Sequence, residues 1–399
     1  MIQVINKSQC CGCTACVSVC PKQCISMEED SEGFLYPAVD MKQCINCGLC
    51  EQVCPMLHVN QSRKPLVVYA AKNPNESIRL QSSSGGMFTL LAEAVIDKGG
   101  VVFGARFNEN WEVIHDYTDN KEGLSVFRGS KYVQSKVGDC YKQVKRFLDM
   151  GRKVMFTGTP CQIAGLKNYL RKDYENLLAV DVICHGVPSP KIWRIYLDEI
   201  LARKGGKNTV LSHPIDEKME INAIDFRSKS TGWKKYSFAL TLSEAKAEGE
   251  KNTVLLSSVF TENPFMNAFL CNLSLRPSCY VCPFKAGRSL ADITLGDFWG
   301  IENLLPDFDD DKGCSVILIY TDNGGKFCSG LFYDKYRVSY TDVLKKNGFM
   351  EISVPKHCNR DFFFRQLIKG KSFEQIWESC NSKAFVMRLH RLFYRKFGI

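Results

Sequence analysis

The sequence predicts an α+β head rich in cysteine, an α/β body behind it and a helical C-terminal segment, and three observations carry that prediction. Ten of the 20 cysteines fall within the first 54 of 399 residues. From Leu66 to Ala202 apolar strand-like runs alternate with helix-like runs, as in a mostly parallel sheet covered by helices. Beyond residue 210 the pattern turns to short strands and then to apolar, basic helix-like stretches. A composition of 45% hydrophobic and 24% charged residues with 29 Gly and 14 Pro excludes fibrous, disordered and collagen-like chains. The opening MIQVINKSQ has no apolar signal core, and no window approaches the roughly 20 apolar residues of a membrane span. A soluble, cytoplasmic chain is expected, and so many thiols in that compartment point to metal rather than disulfides.

The head carries a repeat. Cys10-x2-Cys13-x2-Cys16-x3-Cys20-Pro21 returns 34 residues later as Cys44-x2-Cys47-x2-Cys50-x3-Cys54-Pro55. This is the run of bacterial two-cluster ferredoxins, in which the fourth Cys of each run serves the other cluster. Three thiolates on one tight loop cap three irons of a cube, and the fourth comes from elsewhere. By that resemblance Cys10, Cys13, Cys16 and Cys54 hold one [4Fe–4S] cluster, and Cys44, Cys47, Cys50 and Cys20 hold a second. Paired zinc sites are the alternative, although zinc usually takes two well-separated Cys or Cys/His pairs. Cys11 and Cys24 lie outside the repeat register and read as packing residues. Ile25–Met27 and Phe34–Val39 flank an acidic turn with Gly33, the pattern of a small hairpin. Residues 1–62 hold three Lys and no Arg against six acids, which leaves −3 on the head and +12 on the rest of a +9 chain.

The cysteine pattern ends before MLHVNQSRKP, a basic stretch closing in Pro, so the head is bounded at residues 1–62. The body is read as 63–150 and 151–325, with a packing segment at 326–399. Its expected elements are strand Leu66–Ala71, helix Met87–Asp97 closed by Gly99-Gly100, strand Val101–Ala105, helix Val137–Leu148, strand Lys153–Phe156, helix Cys161–Leu170, strand Leu177–Ile183 and helix Lys191–Ala202. Ile221–Phe226 and Tyr236–Leu242 follow as short strands. Asp361–Ile368 and the basic Phe385–Ile399 are expected as helices on the body.

Three strand-to-helix junctions stand where open α/β sheets collect ligands. Ser82-Ser83-Ser84-Gly85-Gly86 precedes the Met87 helix with small residues that let backbone N–H groups approach an anion, although Ser-rich helix starts are common in any fold. Thr157–Gln162 enters the next helix through Pro160. Cys184-His185-Gly186-Val187-Pro188 closes another strand. The last two junctions offer one cysteine each, and Cys279-x2-Cys282-Pro283 adds a pair. Four such thiols suit a further [4Fe–4S] cluster, zinc, a redox pair or plain burial.

Taken in order, the head, Ser84-Gly85-Gly86, Gly129–Ser135 (GSKYVQS), Gly158–Gln162 (GTPCQ), Cys184–Ser189 (CHGVPS) and Ala291–Gly300 (ADITLGDFWG) resemble the coenzyme F420 hydrogenase/dehydrogenase beta-subunit family over residues 1 to about 325. The resemblance implies an iron–sulfur flavoprotein in which FAD exchanges electron pairs with an organic molecule and clusters exchange single electrons with a protein. It makes Cys161, Cys184, Cys279 and Cys282 ligands of a third, flavin-proximal cluster. It makes Ser84, Gly85, Gly86, Lys131, Gln134, Ser135, Gly158 and Thr159 FAD contacts, the glycines and hydroxyls facing the pyrophosphate. His185 becomes a candidate proton donor, with a hydrogen bond to the cluster as its other reading. The implied partners are ferredoxin or another one-electron donor and a small-molecule acceptor, in the cytoplasm of an anaerobe and with a homo-oligomer open. No Arg- or Lys-rich arm points to nucleic acid. Two further readings stay open: an electron-transfer subunit of a larger complex, and a deazaflavin (F420) oxidoreductase.

Overall fold

In the head, Asp30 and Gly33 reverse the chain between β1 (Ile25–Glu29) and β2 (Leu35–Val39), which pair antiparallel with Ile25 opposite Val39. The Asp30 carboxylate accepts the backbone N–H of Glu32 and Phe34 at 3.1 and 3.0 Å, and Gly33 takes φ +87°, a conformation that favours glycine. A Cβ at Gly33 would also fall 2.2 Å from the Cβ of Lys191, so the turn is seated directly on the body. The computed structural model describes residues 1–204, 219–245 and 251–380.

The body contributes β3 (Val67–Lys72), β4 (Val101–Phe107), β5 (Val113–Thr118), β6 (Val154–Gly158) and β7 (Leu177–Val182), then β8 (Met219–Ser228), β9 (Ser237–Ala245) and β10 (Lys251–Val259), and last β11 (Ile293–Asp297), β12 (Ser315–Ile319) and β13 (Asp334–Arg337). β8, β9 and β10 form an antiparallel meander. The other eight build one sheet in the order β13-β3-β12-β11-β7-β6-β4-β5. Only its centre is parallel, through the β4–β6, β6–β7 and β7–β11 ladders; β5, β12, β3 and β13 join antiparallel. The expectation of a mostly parallel sheet therefore holds for the four middle strands alone. A short loop such as Asn108–Glu112 can close only an antiparallel pair, because a parallel return needs a crossover.

The central strands are apolar on both sides because helices cover both faces. Val101, Phe103, Val154 and Phe156 pack with Tyr141, Val144, Ile163 and Leu166 of the Cys140–Asp149 and Pro160–Leu170 helices. Val102, Met155, Leu178 and Val180 face Met87, Leu91 and Val95 of the Met87–Ile96 helix. The head joins the first of these cores through Cys11, Cys13, Ala15 and Val53. A third, aromatic core gathers Phe34 and Tyr36 of the head, Trp193 of the Pro190–Lys204 helix, Phe226 and Phe238 of the meander, Phe265, and Phe363, Phe364 and Phe373 near the C-terminus. The expected helix Asp361–Ile368 is present as Arg360–Ile368, while Phe385–Ile399 lies outside the described residues. Among the described residues no helix is long and apolar enough to cross a membrane.

One feature of this core carries a pH dependence. His115 on β5 is buried, stacks on Phe156 at 5.4 Å and donates from Nε2 to the Thr157 carbonyl at 3.0 Å, while its Nδ1 has no partner. Burial pushes its pKa down to about 4. The unfolded chain binds a proton there near the ordinary value of about 6.5, so between about 6.5 and 4 stability falls as the pH falls, by up to roughly 3 kcal/mol. In His115→Phe the denaturant midpoint is expected to drop less than in the wild type between pH 6.5 and 4.5. Parallel slopes for the two proteins would contradict this.

Candidate metal centres

The carboxyl ends of β6, β7 and β11 lie on one edge of the sheet, and each feeds a loop that carries chemistry. After β6, Pro160 opens a helix whose capping box joins Thr159 and Gln162, which fixes Cys161 in the first turn. The Thr159 hydroxyl lies 3.1 Å from Cys161 Sγ. Cys184 comes two residues after β7. Cys279 and Cys282 sit on and just past the Pro277–Val281 turn, which is tied to the Cys184 loop by the Arg276 N–H donating to the Val187 carbonyl at 3.0 Å and by pairing of Pro188 with Leu275.

These four thiols lie within electrostatic range of one another. Burial raises Cys184 well above the ordinary thiol range, and Cys279, Cys161 and Cys282 raise it further. Cys279 is pushed up to about 12 by burial, with Cys282 and Cys161 adding to it. The buried Lys285 opposes both effects at Cys184 and Cys282, and its Nζ donates to the Cys184 carbonyl at 2.5 Å. Soft thiolates in a dry site suit an iron–sulfur core, which takes up the charge they cannot carry alone. Among the described residues no three His, Cys, Asp or Glu groups converge as one ion requires, whereas a cube spreads its four thiolates more widely.

In the head, Cys20, Cys44, Cys47 and Cys50 line a single cavity with Ile25 and Val39. Cys50 Sγ accepts the Ile2 N–H at 3.2 Å. Cys24 lines the same cavity, 3.4 Å from Cys20 by sulfur, so it is nearer this set than its place outside the repeat suggests. The other four head thiols are also neighbours. Cys16 is pushed up to about 12 by burial, then by Cys10 and Cys54, and Cys13 feels both Cys16 and Cys10. Cys11, equally outside the repeat register, is buried in one cluster with Cys13, and Cys161 packs against that cluster. The inner head set thus abuts the body set. The Pro160–Leu170 helix comes so near that a Cβ on Gly165 would lie 2.9 Å from Cys13 Sγ.

The residues expected at FAD fall into two groups along the same edge. Ser84 donates to the Cys314 carbonyl at 2.8 Å, Gly85 is packed against Ala71 and Ser315, and Gly86 takes φ +81° at the start of the Met87 helix. Gln134 binds the Cys11 carbonyl, Ser135 accepts from Gln162 at 2.8 Å, and Gly158 lies against Gln162 beside Thr159. Between the groups, Lys131 Nζ donates to the carbonyls of Val126, Arg128 and Gly129, and burial pushes its pKa down to about 7. Most of these side chains are already engaged within the protein. What the sequence does not reveal is the basic group around the Ser82–Gly86 loop: Arg227 Nη2 and Lys229 Nζ donate to the carbonyls of Ser83 and Ser84, Arg79 pairs with Asp310, and Arg227 Nε is buried without a partner. Backbone amides at a helix start beside these cations fit the charge of a pyrophosphate. His185 is clamped by Asn272 at 2.6 Å between the edges of Phe269 and Phe349, and burial pushes it down to about 4.

A family model for the C-terminal part of the coenzyme F420 hydrogenase/dehydrogenase beta subunit matches residues 151–338, and one for the 4Fe-4S dicluster domain matches residues 9–57. Residues 151–338 belong to the coenzyme F420 hydrogenase/dehydrogenase beta-subunit family. This beta-subunit-type protein therefore has a head of the iron–sulfur dicluster type, and its C-terminal match is to an oxidoreductase-related family. Among solved structures, it is similar to a chain of the xenon-derivatized F420-reducing [NiFe] hydrogenase complex from Methanosarcina barkeri, at 18% identity and a TM-score of 0.42, over 78% of this chain and 91% of that one. No curated protein matched the sequence.

Proposed function

We propose that this beta-subunit-type protein is an FAD-dependent iron–sulfur oxidoreductase that takes single electrons from ferredoxin or a similar donor at its head and delivers them to a small organic molecule at the carboxyl edge of the sheet. The observation that carries the proposal is the close approach of the Pro160–Leu170 helix to the head, where a Cβ on Gly165 would lie 2.9 Å from Cys13 Sγ and Cys11, Cys13 and Cys161 share one packed cluster. It brings the inner head ligands against the body set of Cys161, Cys184, Cys279 and Cys282, which we assign to a third cluster. The basic Ser82–Gly86 loop, with Lys131 and the Gly158-Thr159 turn, is assigned to FAD.

FAD, when bound, supplies the exchange between one- and two-electron chemistry. The chain's own residues do the rest. Lys285 offsets the charge of the body thiolates from beside Cys184, Thr159 hydrogen-bonds to Cys161, and Asn272 orients His185. Phe269 and Phe349 around His185 keep water out and the imidazole neutral, which suits a hydrogen-bond role toward the Cys184 loop better than proton delivery.

Anaerobic purification followed by iron and flavin analysis tests the reading. About twelve iron atoms and about one FAD per chain are expected. Iron without FAD, even after reconstitution, would favour the relay-subunit reading, in which a separate chain carries the chemistry. A deazaflavin substrate is tested on the same preparation by following its absorbance with reduced donor present.

A further inference from the structure

We infer that Arg276 seats the head on the body and raises the reduction potential of the inner head cluster above that of the outer one; the inference rests on the cluster assignments above. Arg276 is fully buried, 0% exposed, three residues ahead of Cys279. Its guanidinium reaches the head at three points: Nε donates to the Cys10 carbonyl at 2.8 Å, Nη2 to the Leu35 carbonyl at 2.9 Å, and Nη2 also to Cys10 Sγ at 3.6 Å. Nη1 donates to Gln134 Oε1 at 2.9 Å, and Gln134 Nε2 donates back to the Cys11 carbonyl at 3.0 Å. Tyr36 and Phe34 cover the cation, with ring centroids 4.3 and 5.4 Å away. The loop that receives it must be flat: Gly12 has φ +73°, and a Cβ there would stand 2.9 Å from Nη1.

None of these partners is a carboxylate. The ligand sulfur that the guanidinium meets directly is that of Cys10. A fixed cation in a water-poor site favours whichever state of a cluster carries more negative charge, and that is the reduced state. Hydrogen bonds to ligand sulfur act in the same direction. The Cys20/Cys44/Cys47/Cys50 cavity, by contrast, is not lined by Arg276. An electron entering at the outer cluster is thereby drawn to the inner one, on the side of the body set. Lysine cannot reproduce this arrangement, since one ammonium cannot hold two head carbonyls, a sulfur and Gln134 in a single plane.

The test is an EPR-monitored redox titration of the full chain purified anaerobically. Wild type must first show two reducible head clusters; without them the cluster assignment fails, and this inference with it. In Arg276→Gln one head midpoint is expected to fall by at least the about 59 mV that corresponds to a tenfold change for a one-electron couple, while the other stays. Arg276→Lys is expected to recover part of the shift. Gln134→Glu keeps the guanidinium and sets a carboxylate against it, so it should lower the same midpoint, and it decides the matter if Arg276→Gln does not retain iron. Unchanged midpoints in iron-replete variants, or equal falls at both head clusters, would overturn the inference.

Discussion

Replacing Cys161 by Ser is expected to remove about four iron atoms per chain, from about twelve to about eight, while the two head clusters persist. The site depends on all four thiols because they come from three separate supports: a helix start, the loop after β7 and a short turn that carries two of them. Loss of one ligand leaves three half-buried thiolates, and in the intact set burial already raises Cys184 and Cys279, with the neighbouring thiols adding to it. Cys184→Ser should give the same loss. Cys140→Ser is the control, since that buried thiol lies at the start of the Cys140–Asp149 helix and points at the His115 carbonyl at 3.4 Å. Iron analysis with EPR of the reduced protein reads the result. Full iron in Cys161→Ser would sink the third cluster, and equal loss in Cys140→Ser would mean that any core cysteine change costs iron. Whole-chain stability should fall as well, because metal binding and folding are coupled at such a site.

The parts of this molecule that could be read from its residues are those with a local cause. The two cysteine runs repeat a spacing, Asp30 and Gly33 announce a turn, and the alternation from Val67 to Lys204 follows from apolar periods of two and 3.6. The three junctions are legible for the same reason, since Gly, Ser, Thr and Pro mark where strands hand over to helices. Strand direction is not a local property. β12 and β3 look like any buried strand, Ser315–Ile319 being buried throughout, and only their neighbours make them antiparallel. Cys11 and Cys24 belong to no register, so the closeness of Cys24 to Cys20 emerges only from the fold of the head, and that of Cys11 to Cys161 only when the head is seated on the body. Arg276 and Arg227 are single arginines without a motif. Their roles are set by partners as far off as Cys10 and Asp297, which sequence periodicity does not link.

Breaking the Arg227–Asp297 pair is expected to cost about 3–5 kcal/mol of stability, the range for leaving one buried charge without its partner. Arg227 has a side-chain exposure of 3%, Asp297 17%. The two make a fork, with Nη1 to Oδ2 at 2.9 Å and Nη2 to Oδ1 at 3.1 Å. Trp233 Nε1 donates to the same carboxylate at 3.0 Å, and its ring stacks on Trp299 at 4.9 Å between centroids. Arg227 also lies 3.9 Å over the Tyr236 ring and donates to the Tyr132 hydroxyl at 3.0 Å. Burial alone would lower the guanidinium pKa, yet Asp297 raises it above its ordinary value. Asp297→Asn removes that compensation and leaves a cation in a ring-lined site, whereas the double change to Met and Leu removes both charges. The double variant should therefore lose less stability than the sum of Arg227→Met and Asp297→Leu, the non-additivity of a coupled pair. Denaturant midpoints of the four proteins measure it, and simple additivity would show that the pair is only a pair in geometry. Flavin retention provides a second readout, because Arg227 also holds the Ser83 carbonyl at 3.2 Å and with it the loop assigned to the pyrophosphate. If that loop binds FAD, Arg227→Met should lose flavin at a denaturant concentration where its iron is still in place; flavin and iron leaving together would place FAD elsewhere.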